Sequence, residues 1–223
     1  MASPTPDQVA RGHAFYTRRS LAVYDPLILG WFSRTAWRCP ARVVLAHHDR
    51  HVTGNHLDVG VGTGYFLDRC TFPTATPRIG LLDPNADCLE RASGRLARYR
   101  PETHPGDVLQ PLELEVEPFE SISMTYVLHC LPGDIVTKAA AIDNLLPHLQ
   151  AGGVLFGATL LHDGVKRNWY ARQIMAWNNR GGIFHNTQDD LHGLTRALEQ
   201  RLDKVTVDVV GCVALFAGSR TTR

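Results

Sequence analysis

The sequence lacks paired cysteine spacings, any excess of one charge, internal repeats, and apolar runs long enough to cross a membrane. Its five cysteines (Cys39, Cys70, Cys88, Cys130 and Cys212) are scattered, odd in number and without a C-x-x-C pair. That argues against a disulfide framework or a zinc site and suits a reducing cytoplasm. The longest apolar run, Val154 to Leu161, falls well short of the roughly 20 residues a helical span needs. The opening residues, M-A-S-P-T-P-D-Q, are polar and proline-containing, unlike a secretory signal or an anchor. Formal net charge is +1 with no long block of one sign, which speaks against nucleic acid or an anionic membrane as partner. Eleven histidines are present but show no metal-ligand spacing, so no metal is expected.

What is there reads as one α/β domain of 223 residues with an ordinary 44% of hydrophobic residues and no separating linker. Residues 1–52 suggest a helical N-terminal cap, broken near Asp25-Pro26 because the residue before proline avoids the helical region. Pro40 suits the first turn of a helix reaching His51, whose His47, His48 and His51 read as a solvated helix end. Residues 53–223 then alternate: strand His56–Val59, helix Gly64–Cys70, strand Arg78–Leu82, helix Asn85–Ala97, and a weaker strand Glu102–His104. After a connector over Gln110–Phe119 come strand Ser121–Tyr126, a long helix from Asp134 to Leu149 closed by Gly152-Gly153, and the continuously apolar strand Val154–Leu161. Helices over Asn168–Trp177 and Gln188–Leu202, the second capped by Thr187, precede two β-rich pieces, Lys204–Val210 and Val213–Gly218. The rhythm predicts a doubly wound, mostly parallel sheet with an antiparallel C-terminal hairpin.

The densest signal is N-H-L-D-V-G-V-G-T-G-Y-F, from Asn55 to Phe66. A glycine turn between a strand and a helix brings backbone amides close to a ligand. A dinucleotide fingerprint would place a third glycine at Tyr65 or Leu67, and a phosphate loop would need a nearby lysine; both are missing. What remains is Asp58 with Gly60, Gly62 and Gly64. A carboxylate beside the turn would repel a pyrophosphate and suits a ligand with a cationic end.

This pattern resembles the first motif of class I S-adenosylmethionine-dependent methyltransferases. The resemblance continues through L-L-D-P-N at Asp83, G-D-V-L at Asp107, Y-V-L-H-C-L-P from Tyr126, and the terminal hairpin. It implies a Rossmann-like seven-stranded sheet with S-adenosylmethionine as cofactor, its methionine moiety over the glycine turn. Asp83 followed by Pro84 would bind the ribose hydroxyls, Asp107 would sit near the adenine amino group, and Val108 would pack on the ring. Tyr16 and Tyr126 join this expected cofactor set, and a small molecule of the secondary-metabolite kind, methylated on oxygen, nitrogen or carbon, is the implied acceptor.

His129, after the fourth strand, is the candidate catalytic base; packing without proton transfer weighs equally. Residues 163–186 fall where that family builds a variable lid, and Tyr24, His162, Trp169, Trp177 and His185 are the candidate substrate-binding residues. The alternative is a cofactor-binding protein of the same fold with a non-methylating activity or a partner-subunit role. Composition and motifs leave the oligomeric state open.

Overall fold

The computed structural model describes residues 25–221. Tyr16, Tyr24 and the first expected helical segment lie outside them. Asp25–Phe32 winds as a π-helix and tightens into a last α-turn at Ser33–Thr35. Helix α1 (Ala41–His51) follows Pro40, then β1 (Asn55–Val59), α2 (Tyr65–Arg69), β2 (Arg78–Asp83), α3 (Ala86–Arg95) and β3 (Glu102–Pro105). Strand β4 (Phe119–Thr125) leads through short helices α4 (Ile135–Lys138) and α5 (Ala140–Leu145) into β5 (Leu149–Leu160). Helices α6 (Trp169–Arg180) and α7 (Leu191–Glu199) precede the hairpin of β6 (Asp203–Val210) and β7 (Val213–Ser219).

The strands form one seven-stranded sheet in the order β3-β2-β1-β4-β5-β7-β6. β1 to β5 run parallel, and β7 enters antiparallel between β5 and β6. The chain walks outward from β1 to β3 and then returns to lay β4 on the other side of β1. That reversal opens a crevice beyond the carboxyl ends of β1 and β4, where sheets of this kind take ligands.

Alternation along the strands feeds two cores. Leu57, Ile122, Met124 and Leu155 pack on one face against Ile142 and Leu145 of α5 and Leu194 and Leu198 of α7. Ile79, Leu81 and Phe156 pack on the other against Leu67 of α2 and Leu89 and Ala92 of α3. The connector after β3 has no regular structure, yet its Leu112, Leu114 and Val116 rest against the first core while the intervening glutamates point outward.

Three local expectations are corrected. The long helix expected to reach Leu149 ends at Leu145, and a 3₁₀ turn over Leu146–His148 contains Pro147, which has no N–H to extend an α-helix. Gly152 and Gly153 do not close that helix; they lie inside β5, where the register against β4 shifts after Leu149 pairs with Phe119. Helix α7 starts from Asp190, whose carboxylate accepts from Gly193 N at 2.8 Å, and not from Thr187. The histidines of α1 are corrected as well. His47 and His48 are buried against Phe156 of β5 and not solvated, because α1 lies flat on the sheet.

Candidate active site

The glycine turn is shaped by backbone that only glycine adopts cheaply. Gly60, Gly62 and Gly64 have φ of 67°, 50° and 70°. Their absent side chains serve different ends. A Cβ on Gly60 would collide with Val127 Cγ2, so this glycine lets β1 close against the segment after β4. A Cβ on Gly64 would lie 3.2 Å from Ala92 Cα, so this glycine seats α2 on α3. A Cβ on Gly62 would meet nothing within 4 Å, because this residue faces the open cleft.

That cleft encloses about 1210 Å³ including its open mouth. Asp58, Gly60, Gly62, Asp83, Pro84, Asp107, Val108 and Tyr126 all line it; Gly64 does not. Asp83 ends β2 and accepts from Asn85 N at 2.8 Å, and Asp107 accepts from Leu109 N at 2.9 Å, so local backbone orients both carboxylates. Asp58 is nearly buried. Burial, with a hydrogen bond from Ser123 opposing it and the nearby Asp83 charge reinforcing it, raises its carboxyl to about 7. Tyr126 sits at φ 63°, rare for an aromatic residue, with its amide donating to Ala158 O at 2.7 Å. This twist turns the chain out of β4 at the edge of the cleft.

The other candidates stand apart from these. His129 is buried and does not line the cleft. Its ring meets Phe184 edge-on at 4.7 Å, and burial, aided by the Lys138 charge, lowers it to about 3. His185 donates its amide to His129 O at 2.8 Å, and burial lowers its ring as well. His162 is half-exposed beside Asp163 at 3.0 Å. Trp169 and Trp177 are 74% and 67% exposed on α6, outside the cleft lining.

Several cleft features carried no recognisable sequence signal. Asp25, in the π-helix, accepts from Thr63 Oγ1 and from Arg95 Nη2, each at 2.6 Å, and Leu29 one turn on lines the cleft. The N-terminal segment is thereby pinned to the glycine turn and to α3. His48, stacked on Phe66 at 5.2 Å and bonded to Thr125 Oγ1 at 2.8 Å, also lines the cleft, whereas its neighbours there Cys130, Leu131 and Pro132 belong to the motif read from Tyr126. Beyond it, Lys138 and Asp189 form an ion pair at 2.6 Å with both side chains 0% exposed. Lys138 donates further to His185 O at 2.9 Å, so α4 grips the segment that follows α6. Burial pushes Lys138 down and Asp189 up, each toward its neutral form, while the partner's charge opposes the shift.

Residues 57–155 match the family described as a methyltransferase domain. The demethylluteothin O-methyltransferase of Streptomyces thioluteus is 38% identical over 94% of this chain and 91% of its own length. The chain belongs to the S-adenosylmethionine-dependent methyltransferases. The physcion biosynthesis cluster O-methyltransferase of Aspergillus chevalieri is 37% identical over 92% of the methyltransferase and 93% of that relative. The N-methyltransferase NodS of Bradyrhizobium japonicum WM9, in complex with S-adenosylhomocysteine, shares the fold with a TM-score of 0.60. It is 20% identical, over 93% of this chain and all of that one. The methyltransferase uses S-adenosylmethionine as methyl donor and acts on a small molecule, so the alternative of a protein without transfer activity gives way. Among the described residues, no helix is long and apolar enough to cross a membrane.

The cleft fits that donor. The side-chain-free surface at Gly62 leaves backbone accessible. The desolvated Asp58 carboxyl gains from a cationic neighbour, and the Asp83 carboxylate can accept two hydrogen bonds from a cis diol.

Proposed function

We propose that this single-domain methyltransferase methylates a hydroxyl of a largely apolar, uncharged secondary metabolite in the cytoplasm, without nucleic acid as a partner. One observation carries the reading. Away from its three carboxylates the cleft is walled by Leu29, Phe66, Tyr126, Val127, Leu131 and Pro132, and no lysine or arginine lines it among the described residues. Such a wall desolvates an acceptor and gains nothing from an anionic one. The two O-methyltransferases that match nearly the whole chain support the choice of oxygen.

Bound S-adenosylmethionine supplies an electrophilic methyl group for in-line displacement. In our reading Asp58 faces its cationic methionine end, Gly60 and Gly62 give it room, Asp83 with Pro84 holds the ribose, and Asp107 with Val108 holds the adenine. The apolar wall orients the acceptor and excludes water, which accounts for much of the rate in such displacements. His129 stays neutral at working pH and serves as packing between Tyr126 and Phe184. No residue of segment 163–186 lines the cleft among the described residues; in our reading it is a lid over the acceptor side, from which Trp169, Trp177 and His185, with His162 beside it, meet the acceptor.

The test is S-adenosylhomocysteine release with paired acceptors of one aromatic skeleton, carrying a free hydroxyl, an amine or a carboxylate. Preference for the neutral hydroxyl compound is expected. Faster turnover of the carboxylate or the amine would overturn the assignment.

A further inference from the structure

His56 and Asp58 lie two residues apart on one face of β1, and in parallel β4 their register partners are Ser121 and Ser123. The four side chains interleave. His56 Nδ1 lies 2.7 Å from Ser121 Oγ, His56 Nε2 lies 3.0 Å from Ser123 Oγ, and Ser123 Oγ donates to Asp58 Oδ1. Ser121 Oγ in turn accepts from Thr53 N at 3.1 Å and lies 2.9 Å from Thr53 Oγ1. His56, Ser121 and Ser123 are wholly buried, and only Asp58 reaches the cleft.

The proton count gives this array a direction. A serine hydroxyl has one hydrogen, and Ser123 spends it on Asp58 when that carboxylate is ionised. Ser123 must then accept from His56 Nε2–H, which leaves Nδ1 as an acceptor, and Ser121 must donate to it. Every donor points toward Asp58. When Asp58 is protonated its hydroxyl can donate to Ser123, and each bond reverses, which moves the histidine proton to Nδ1. A neutral imidazole is required in both states, and burial, which lowers His56 to about 3, supplies it.

We infer that Ser121, His56 and Ser123 form a switchable hydrogen-bond chain that positions Asp58 for the cationic end of the donor, with His56 as the positioning residue whose tautomer follows the charge in the cleft. On donor binding the Asp58 proton leaves to solvent, and the chain takes its donating direction. The other ionisable groups packed around it are Asp83 at the end of β2, Cys70 after α2, and His47, His48 and His51 on α1. The Asp83 charge opposes ionisation of Asp58, while burial shifts the three histidines toward their neutral form and pushes the Cys70 thiol up. The inference rests on Asp58 facing the donor.

Binding of S-adenosylhomocysteine, which retains the methionine ammonium, tests it by calorimetry from pH 5.5 to 8.5 in buffers of different ionisation enthalpy. Wild-type affinity should rise about tenfold per pH unit below about 7, with proton release that disappears above it. His56→Phe keeps the ring volume but removes the donor to Ser123. It should move that midpoint upward and weaken binding at pH 7 at least threefold, while kcat at saturating donor stays within twofold. His56→Gln, which can still donate to Ser123, should restore most of the affinity. Nitrogen-15 shifts of His56 in the wild-type protein should report Nε2–H with ligand at pH 8 and Nδ1–H without it at pH 5.5. An unchanged midpoint in His56→Phe, or one tautomer under both conditions, would overturn the chain. Asp58→Asn separates the two claims, since undiminished binding there would sink the placement of Asp58 itself.

Discussion

The glycine-turn end of the cleft and the segment beyond it, residues 163–190, are held by different kinds of force. At the glycine turn, position is set by backbone: three residues at positive φ, and Asp83 and Asp107 each bonded to an amide two residues on. Around segment 163–190, position is set by polar contacts between distant parts of the chain. Lys138 holds Asp189, Asn186 donates to Leu160 O at 3.1 Å, and Asn168 reaches back to Thr35 O at 2.9 Å. The first arrangement survives changes elsewhere in the protein. The second depends on each buried partner being present, since an orphaned buried charge costs far more than an intact pair contributes.

The largest expected effect breaks the second of these regions. Asp189→Ala should cost about 3–5 kcal/mol in urea unfolding, because Lys138 is left buried without its counter-charge. Replacing both, Lys138→Met with Asp189→Leu, should recover most of that loss. If the double variant were no more stable than the single one, burial of charge would not be what holds this region.

Next, the glycine turn should separate stability from binding. Gly60→Ala forces a Cβ into Val127 at positive φ and should cost about 2–4 kcal/mol. Gly62→Ala meets no neighbour and should cost only about 1 kcal/mol, yet weaken S-adenosylhomocysteine at least tenfold by intruding on the cleft. Equal stability losses with unchanged affinity would remove Gly62 from the donor site.

Acid sharpens the contrast further. His56 and His129 are lowered from 6.5 to about 3, so between those values the unfolded chain binds more protons than the native one. Their contribution is complete above pH 6.5 and lost as pH falls, with a slope of up to about 1.4 kcal/mol per unit for each histidine. Asp58 acts in the opposite sense. Its penalty is absent below its ordinary value of 3.8 and grows until pH passes about 7. Unfolding free energy should therefore climb from pH 4 to 6.5, and added S-adenosylhomocysteine should stabilise the protein most above pH 7. A flat profile would contradict both assignments. The smallest effect is expected for Asp25→Asn, which keeps the hydrogen bond to Thr63 but removes the charge facing Arg95. Faster ligand dissociation, about threefold to tenfold, with little change in stability would fit the partly exposed pair; an unchanged dissociation rate would show that the N-terminal segment does not guard the cleft.

The same contrast explains what could be read from residues alone. Glycines at alternate positions and acids ending strands leave a local trace, because their geometry is settled within a few residues. The fold class and the carboxylate set followed from that trace. Asp25 and Arg95, or Lys138 and Asp189, leave none, since the partners are far apart in the chain and each alone looks like a surface charge. The histidines of α1 misled for the same reason: His47 and His48 sit on an ordinary-looking helix, and only the flat docking of α1 on Phe156 buries them. Gly152 and Gly153 read as a helix stop, whereas the stop belongs to Pro147 and the glycines bend a strand.

At the β6–β7 turn, Gly211 is at φ 63° where a Cβ would strike Trp37 O, and Cys212 N donates to that same carbonyl at 2.9 Å. Trp37 comes shortly after the π-helix that carries Leu29 into the cleft, and Cys212 lies far along the chain, in the hairpin that follows α7. During synthesis the residues after β1 emerge while this anchor is still unmade, so the glycine turn can form long before its N-terminal strap can lock. Ability to bind donor should thus appear only after the β6–β7 hairpin has emerged and folded onto Trp37.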